Sequence, residues 1–203
     1  MPVTEQATVY IVDDDDGVRE ALFWSLRQAG FSVQAFPSGE SFLQSPRSEG
    51  PACLVLDLRM QGMDGLELQQ ALAQGGAQIP IIFISGYGDI PTSVQAMKAG
   101  ALDFVEKPLS IEALIARIRE ALAEDKSRRR QYALNQEVCA RYRSLTARER
   151  EVMSMVIAGR SNKEIARSLE ISRRTVENHR ARVMATMQAE NVAQLCQMAA
   201  LCP

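Results

Sequence analysis

Short apolar runs alternate with helix-patterned stretches through residues 9–122, and this alternation narrows the fold more than any other feature of the chain. Val9–Val12, Ser32–Phe36, Cys53–Asp57, Ile79–Ser85 and Leu102–Glu106 read as strands. Residues 17–29, 39–45, 65–74, 91–99 and 110–122 read as the helices that follow them. Five strands, each followed by a helix, predict an α/β fold: a five-stranded parallel sheet with helices on both faces and right-handed crossovers. Asp16 is the expected N-cap of the first helix and Gly30 its closing residue. The stripe Val18, Ala21, Leu22, Ser25, Leu26 and Ala29 should face the sheet. Phe23 and Trp24 then either pack against a neighbouring loop or form an exposed patch.

The run Cys53-Leu54-Val55-Leu56-Asp57 suits a strand buried on both faces, and it ends in a carboxylate. Desolvating that carboxylate is costly unless something compensates it. In open α/β sheets ligands bind beyond the strand C-termini. That mouth would also collect Asp13 and Asp14, Ser85 and Lys107. Carboxylates and a backbone carbonyl can hold Mg²⁺, while a lysine and a hydroxyl can take phosphate oxygens. Phosphoryl transfer asks mainly for such positioning and charge stabilisation, with Asp57 as the group that becomes an aspartyl phosphate. Blander readings exist: Asp13–Asp16 as a solvated helix-capping turn, and Lys107-Pro108 as a solvated turn.

Val12-Asp13-Asp14, Asp57 with Arg59-Met60 and Gly62-Met63-Asp64-Gly65, Ser85-Gly86, and Lys107-Pro108 together resemble the flavodoxin-like receiver domain of two-component response regulators. The resemblance spans about residues 7–122. It implies phosphorylation of Asp57 by a sensor histidine kinase, with Mg²⁺ (or Mn²⁺ in its place) at Asp13, Asp14, Asp57 and the Arg59 carbonyl. It makes Lys107 a phosphate ligand and Ser85 and Phe104 the switch pair. It also puts Val94 and Lys98 on a face through which such receivers pair, although Val94 reads equally well as core. Such a domain is a phosphoacceptor that supports its own phosphotransfer and slow dephosphorylation rather than an enzyme in the ordinary sense. Two residues depart from the family pattern: Gln61 stands where most receivers have proline, and Ser85 where threonine is commoner.

Charge divides the chain. Residues 1–120 hold 16 Asp/Glu against 8 Lys/Arg, a net of −8, and residues 121–203 hold 9 against 15, a net of +6. An acidic part followed by a basic one predicts two domains with different partners, the second suited to nucleic acid. Residues 121–144 lack Pro and Gly and are rich in strong helix formers, so the last helix of the first domain should run on into a helical linker. Arg128-Arg129-Arg130 is either a solvated helix face or a patch near DNA. No apolar run approaches the ~18 residues of a membrane span, and the N-terminus lacks a signal-like stretch. The four cysteines show no metal-ligand spacing and the single His cannot complete a site. They read as reduced thiols of a cytoplasmic protein.

From Leu145 the pattern resets to four short helices. Thr146 and Glu149 form a capping box, and Val152, Met155 and Val156 point inward. Ser161 or Asn162 opens a second helix, Ser172 a third, and Val192–Leu201 makes a fourth. Helix, turn, helix is a DNA-reading plan in which the second helix carries the contacts. Leu145-Thr146-Ala-Arg-Glu149-Arg-Glu151-Val152, Asn162-Lys163-Glu164-Ile165-Ala166 and Arg174-Thr175-Val176-Glu177-Asn178-His179 resemble the LuxR/NarL-type DNA-binding domain. The resemblance makes Glu149, Ile165, Ala166 and Val176 structural and turns Lys163, Arg173, Arg174, Thr175, Glu177, Asn178 and Arg182 toward double-stranded DNA. His179 reads as a packing residue.

The two resemblances in one chain are similar to the FixJ subgroup of response regulators. Their combination implies a receiver at 1–122, a linker at 123–141 and an all-α helix-turn-helix domain at 142–203. It further implies a regulator that dimerises or releases its DNA-binding domain on phosphorylation and binds an inverted repeat, with RNA polymerase as a further candidate partner. Two rival readings are a DNA-binding protein whose receiver-like domain is a fixed dimerisation module, and a Mg²⁺-dependent phosphohydrolase. The intact Asp13/Asp14/Asp57/Lys107 set argues against the first, and the attached DNA-binding pattern against the second.

Overall fold

The computed structural model describes residues 7–46, 48, 50–86, 90–108 and 110–202, with the side chains of residues 90 and 91 left aside. Its contacts divide the chain into two units, Met1–Arg129 and Arg130–Pro203.

The first unit is a parallel sheet of β1 (Thr8–Val12), β2 (Ser32–Phe36), β3 (Ala52–Asp57), β4 (Ile81–Ser85) and β5 (Asp103–Glu106), in the order β2-β1-β3-β4-β5. β1 and β3 pair Val12 with Leu56, and β3 and β4 pair Asp57 with Ile84, so the ends of the three central strands lie level. Alternation within each strand builds two cores. Tyr10, Leu54, Leu56 and Phe83 pack with Phe42 of α2 (Gly39–Gln44), Leu68 of α3 (Gly65–Gln74) and Ala96 of α4 (Ile90–Lys98). Val9, Ile11, Val55 and Ile82 pack on the other face with Leu22 and Leu26 of α1 (Asp16–Gln28) and Leu114 and Ile118 of α5 (Ile111–Ser144). Strands buried on both faces need no polar alternation, which is why they read as continuous apolar runs.

Two details differ from the sequence reading. Asp15, not Asp16, caps α1: its Oδ1 accepts from the N–H groups of Gly17 and Val18 at 2.8 and 3.0 Å. Those bonds hold its carboxyl below the ordinary value. Ala21 is exposed, and Phe23 takes its place against the core. Trp24 stacks edge-on against Phe23 at 5.3 Å and stays 62% exposed. Gly30 does close the helix, with φ of +91°. Gly88 and Asp89 lie outside the described residues.

α5 is one helix of 34 residues, its residues up to Arg129 in the first unit and the rest in the second. Among the described residues, no helix is long and apolar enough to cross a membrane. The triple arginine has a local use that the sequence did not suggest. Arg128 and Arg129 both pair with the fully buried Asp125, the latter at 2.7 Å, and Asp125 Oδ2 accepts from the Ala52 N–H at 2.9 Å. The start of β3 is thereby tied to α5.

The second unit holds the C-terminal part of α5 with α6 (Ala147–Ile157), α7 (Asn162–Ser168), α8 (Arg173–Met187) and α9 (Val192–Ala200). Their N-caps are Thr146, Ser161, Ser172 and Asn191, each accepting from a backbone N–H of the first turn. Leu145, Val152, Met153, Val156, Ile165, Val176, Val183, Met187 and Leu195 form the core. Glu170 sits at φ +53° between α7 and α8, the sharp turn of the helix-turn-helix.

Candidate functional sites

In the first unit, β1 and β3 carry three carboxylates to one end of the sheet. One oxygen from each of Asp13, Asp14 and Asp57 lies within 4.8 Å of the other two. Asp13 and Asp57 are buried, 2% and 8% exposed. Lys107, just past β5, reaches both: its Nζ is 2.9 Å from Asp57 Oδ1 and 3.2 Å from Asp13 Oδ2. It gets there because the Lys107 N–H bonds to the Ser85 carbonyl at 2.7 Å, which fastens the chain after β5 to the end of β4.

One ammonium does not balance three carboxylates. Burial pushes the Asp57 carboxyl above its ordinary value; Lys107 works against this, and the charges of Asp13 and Asp14 add to it. Burial opposes the charge on Lys107 as well, but Asp57 and Asp13 outweigh it and hold the amine above its usual range. A tight group of hard oxygen donors with surplus negative charge fits a small divalent cation, whose ligands lie ~2.1 Å from the metal.

The surroundings fix these groups one by one. Asp13 Oδ1 accepts from the Asp15 N–H at 2.9 Å, and its carbonyl accepts from Arg19 Nη1 at 2.7 Å. Asp14 Oδ2 accepts from the Gln61 N–H at 2.9 Å. Gly65 opens α3 directly under Asp57: a Cβ there would lie 2.5 Å from the Asp57 carbonyl oxygen and 2.9 Å from Phe83. Any other residue would force β3 and α3 apart, so the glycine is a packing requirement of the site. The Met63 N–H is held by Glu40 Oε1 at 3.1 Å. Ser85 is buried, its hydroxyl donating to the Gly86 carbonyl at 3.2 Å. Phe104 is half-buried beside a cavity of about 500 Å³ that Ser93, Val94, Met97, Lys98 and Asp103 also line. Val94 is 47% exposed, so it is not the core residue its pattern equally allowed. Arg19 and Glu40 were missed from sequence; nothing local marks a side chain that reaches across a turn to another element's backbone.

In the second unit α8 packs Val176, Val183 and Met187 inward and presents Arg173, Arg174, Glu177, Asn178 and Arg182 to solvent. Lys163 on α7 is exposed as well. Thr175 is half-buried, with its Oγ1 2.8 Å from the Ser172 hydroxyl in the helix cap. Glu149 is buried, and its Oε2 accepts from the N–H and the hydroxyl of Thr146, both at 2.9 Å. Those bonds outweigh burial and hold the carboxyl below the ordinary value. Two arginines not singled out from sequence brace the unit. Arg148 caps the end of α7 through the Leu169 carbonyl at 2.6 Å, and Arg180 bonds Asn162 Oδ1 at 2.7 Å.

A buried acid cluster on a β2-β1-β3-β4-β5 sheet, followed by a helix-turn-helix with a polar, arginine-bearing helix face, describes a class in which one domain receives and the other addresses nucleic acid. The comparisons give that class its family. Residues 9–119 match the response regulator receiver domain, and residues 143–199 match the bacterial regulatory proteins of the luxR family. The chain is 41% identical to the transcriptional regulatory protein FixJ of Bradyrhizobium diazoefficiens, over 97% of this chain and 96% of that one. It is 44% identical to the response regulator protein TmoT of Ectopseudomonas mendocina, over 94% and 87%. Among solved structures it is similar to the response regulator StyR, with a TM-score of 0.85 and 42% identity, over 96% of this chain and 98% of that one. The chain belongs to the two-component response regulators that join a receiver domain to a LuxR-type DNA-binding domain, and within them it is FixJ-like.

Proposed function

We propose that this regulator is switched by Mg²⁺-dependent phosphorylation of Asp57 and that the modified form controls transcription. One observation carries the reading: a buried carboxylate at a strand end, with an ammonium at 2.9 Å and two further carboxylates within 4.8 Å. Asp13, Asp14, Asp57 and the Arg59 carbonyl would hold the metal. Bound there, Mg²⁺ would offset the negative charge of the carboxylates and of the arriving phosphoryl group.

The phosphoryl donor is a phosphohistidine of a sensor kinase. A carboxylate oxygen of Asp57 attacks the phosphorus, a P–O bond forms, the P–N bond breaks, and the imidazole nitrogen keeps the electron pair. Lys107 then moves from neutralising a carboxylate to holding a phosphoryl oxygen, and the Ser85 hydroxyl turns from the Gly86 carbonyl to donate to another. As Ser85 turns, the Phe104 ring follows it inward. The face bearing Val94 and Lys98 is thereby remodelled, and two copies pair through it or the DNA-binding domain is released. Our working division is receiver 1–122, linker 123–141 and DNA-binding domain 142–203. Paired copies of α8 would read an inverted repeat through Arg173, Arg174, Thr175, Glu177, Asn178 and Arg182, with Lys163 of α7 on the phosphate backbone.

The test is phosphotransfer to Asp57→Asn. Incubated with the cognate kinase or a small acyl phosphate and Mg²⁺, wild type should acquire an acid-stable, alkali-labile phosphate that the variant does not. Equal labelling of the two proteins would sink the assignment.

A further inference from the structure

Cys139 of α5 and Cys202, just past α9, lie 63 positions apart in sequence, yet their Sγ atoms are 2.6 Å from each other. A disulfide requires its two sulfurs to meet at about 2.05 Å, and the fold already brings this pair into contact. Cys139 Sγ also lies 3.3 Å from the Leu201 carbonyl, so the backbone next to Cys202 runs alongside the first sulfur. Both cysteines are partly exposed, and both belong to the second unit.

The other two cysteines differ. Cys53 is fully buried in β3, where burial and the charge of Asp125 push its thiol far up, leaving it inert. Cys196 is half-buried on α9, and no short sulfur contact to it occurs among the described residues. The 139/202 arrangement is therefore specific rather than a consequence of general cysteine content.

We propose that Cys139 and Cys202 form a reversible intramolecular disulfide, a redox modification that ties the segment after α9 to α5. The oxidant is a peroxide. The sulfur of Cys139 attacks one peroxide oxygen, the O–O bond breaks, and hydroxide leaves with the electron pair. The resulting sulfenic acid is attacked by the sulfur of Cys202, and its oxygen leaves as water together with the thiol proton. In sum two thiols and one hydrogen peroxide give one disulfide and two waters. Burial and the adjacent Cys139 thiol raise the Cys202 thiol to about 11, which disfavours it as the first nucleophile. In a reducing compartment such bonds are transient and serve sensing rather than stability. Closing this loop would fix the segment after α9 against α5, beside the core to which Leu195 and Met198 contribute.

The test uses the full-length protein. It is treated with hydrogen peroxide, its remaining thiols are alkylated, and it is digested for mass spectrometry without reduction. Wild type should lose two of its four free thiols and yield a peptide linking Cys139 to Cys202. It should also migrate faster on a non-reducing gel, and dithiothreitol should reverse both changes. Cys139→Ser and Cys202→Ser should each abolish the link, whereas Cys53→Ser and Cys196→Ser should retain it. Oxidation should raise the melting midpoint of the second unit in wild type and leave it unchanged in Cys202→Ser. Four free thiols after treatment, a link that joins two molecules, or a link through Cys196 would each overturn the proposal.

Discussion

The N–H of Gln61 reaches Asp14 Oδ2 at 2.9 Å, and a proline at that position would have no hydrogen to give. The departure from the common receiver pattern thus has a physical consequence at the Asp13, Asp14 and Asp57 cluster. It adds a donor that competes with a metal for Asp14, and it steadies the loop after Asp57 without a ring. Gln61→Pro should therefore bind Mg²⁺ more tightly by about three- to tenfold, matching the ~1 kcal/mol net worth of one hydrogen bond. Isothermal titration of Mg²⁺ into both proteins checks this; equal or weaker binding by the variant refutes the competition. The Gln61 substitution was visible in the sequence but its meaning was not, because the partner of its backbone N–H lies 47 positions away. Asp13, Asp14, Asp57 and Lys107 were legible as a group because each ends or follows an apolar run, and parallel strands bring those ends to one edge.

At the scale of elements, α5 does more than cover the sheet. The strong helix formers that marked residues 121–144 as helical carried no sign that Asp125 would be buried, since its partner Ala52 precedes it by 73 positions. The same limit hid Arg148 at the end of α7, whereas the capping box at Thr146 was readable because both of its members lie within one turn. Burial disfavours the charge on Asp125, but the Ala52 N–H and two guanidinium groups overcome it and hold its carboxyl below the ordinary 3.8. The unfolded chain therefore binds more protons here than the folded one, and stability rises with pH in that range. The stabilisation is fully present above pH 3.8 and is lost as pH falls through the lowered folded value. Asp125→Asn should cost about 1.5–3 kcal/mol near pH 7, the worth of hydrogen bonds to a charged group. The gap to wild type should shrink once the wild-type carboxylate is protonated. Urea unfolding at neutral pH and at successively lower pH measures it, and a gap independent of pH would contradict the role assigned to the charge.

Across the whole molecule the two units carry opposite charge: 18 Asp/Glu against 11 Lys/Arg over residues 1–129, a net of −7, and 7 against 12 over residues 130–203, a net of +5. This makes DNA affinity an expected electrostatic property of the second unit. Counterion release gives binding a linear dependence of log affinity on log salt, with a slope set by the phosphates neutralised. The exposed side chains of α8 should divide into two kinds under that measurement. Arg182, a cation on the solvent face, should act mainly through phosphate: Arg182→Ala should weaken binding to all sequences alike and reduce the salt slope by roughly 1. Asn178 carries no charge, and its amide can bond the paired donor and acceptor of adenine. Asn178→Ala should leave the slope unchanged while reducing the preference for operator over unrelated DNA, by about 1–3 kcal/mol. Fluorescence anisotropy of phosphorylated protein on operator and scrambled duplexes across a salt series separates the two. If Asn178→Ala changed the salt slope, or Arg182→Ala changed only the sequence preference, the division of α8 into gripping and reading positions would fall.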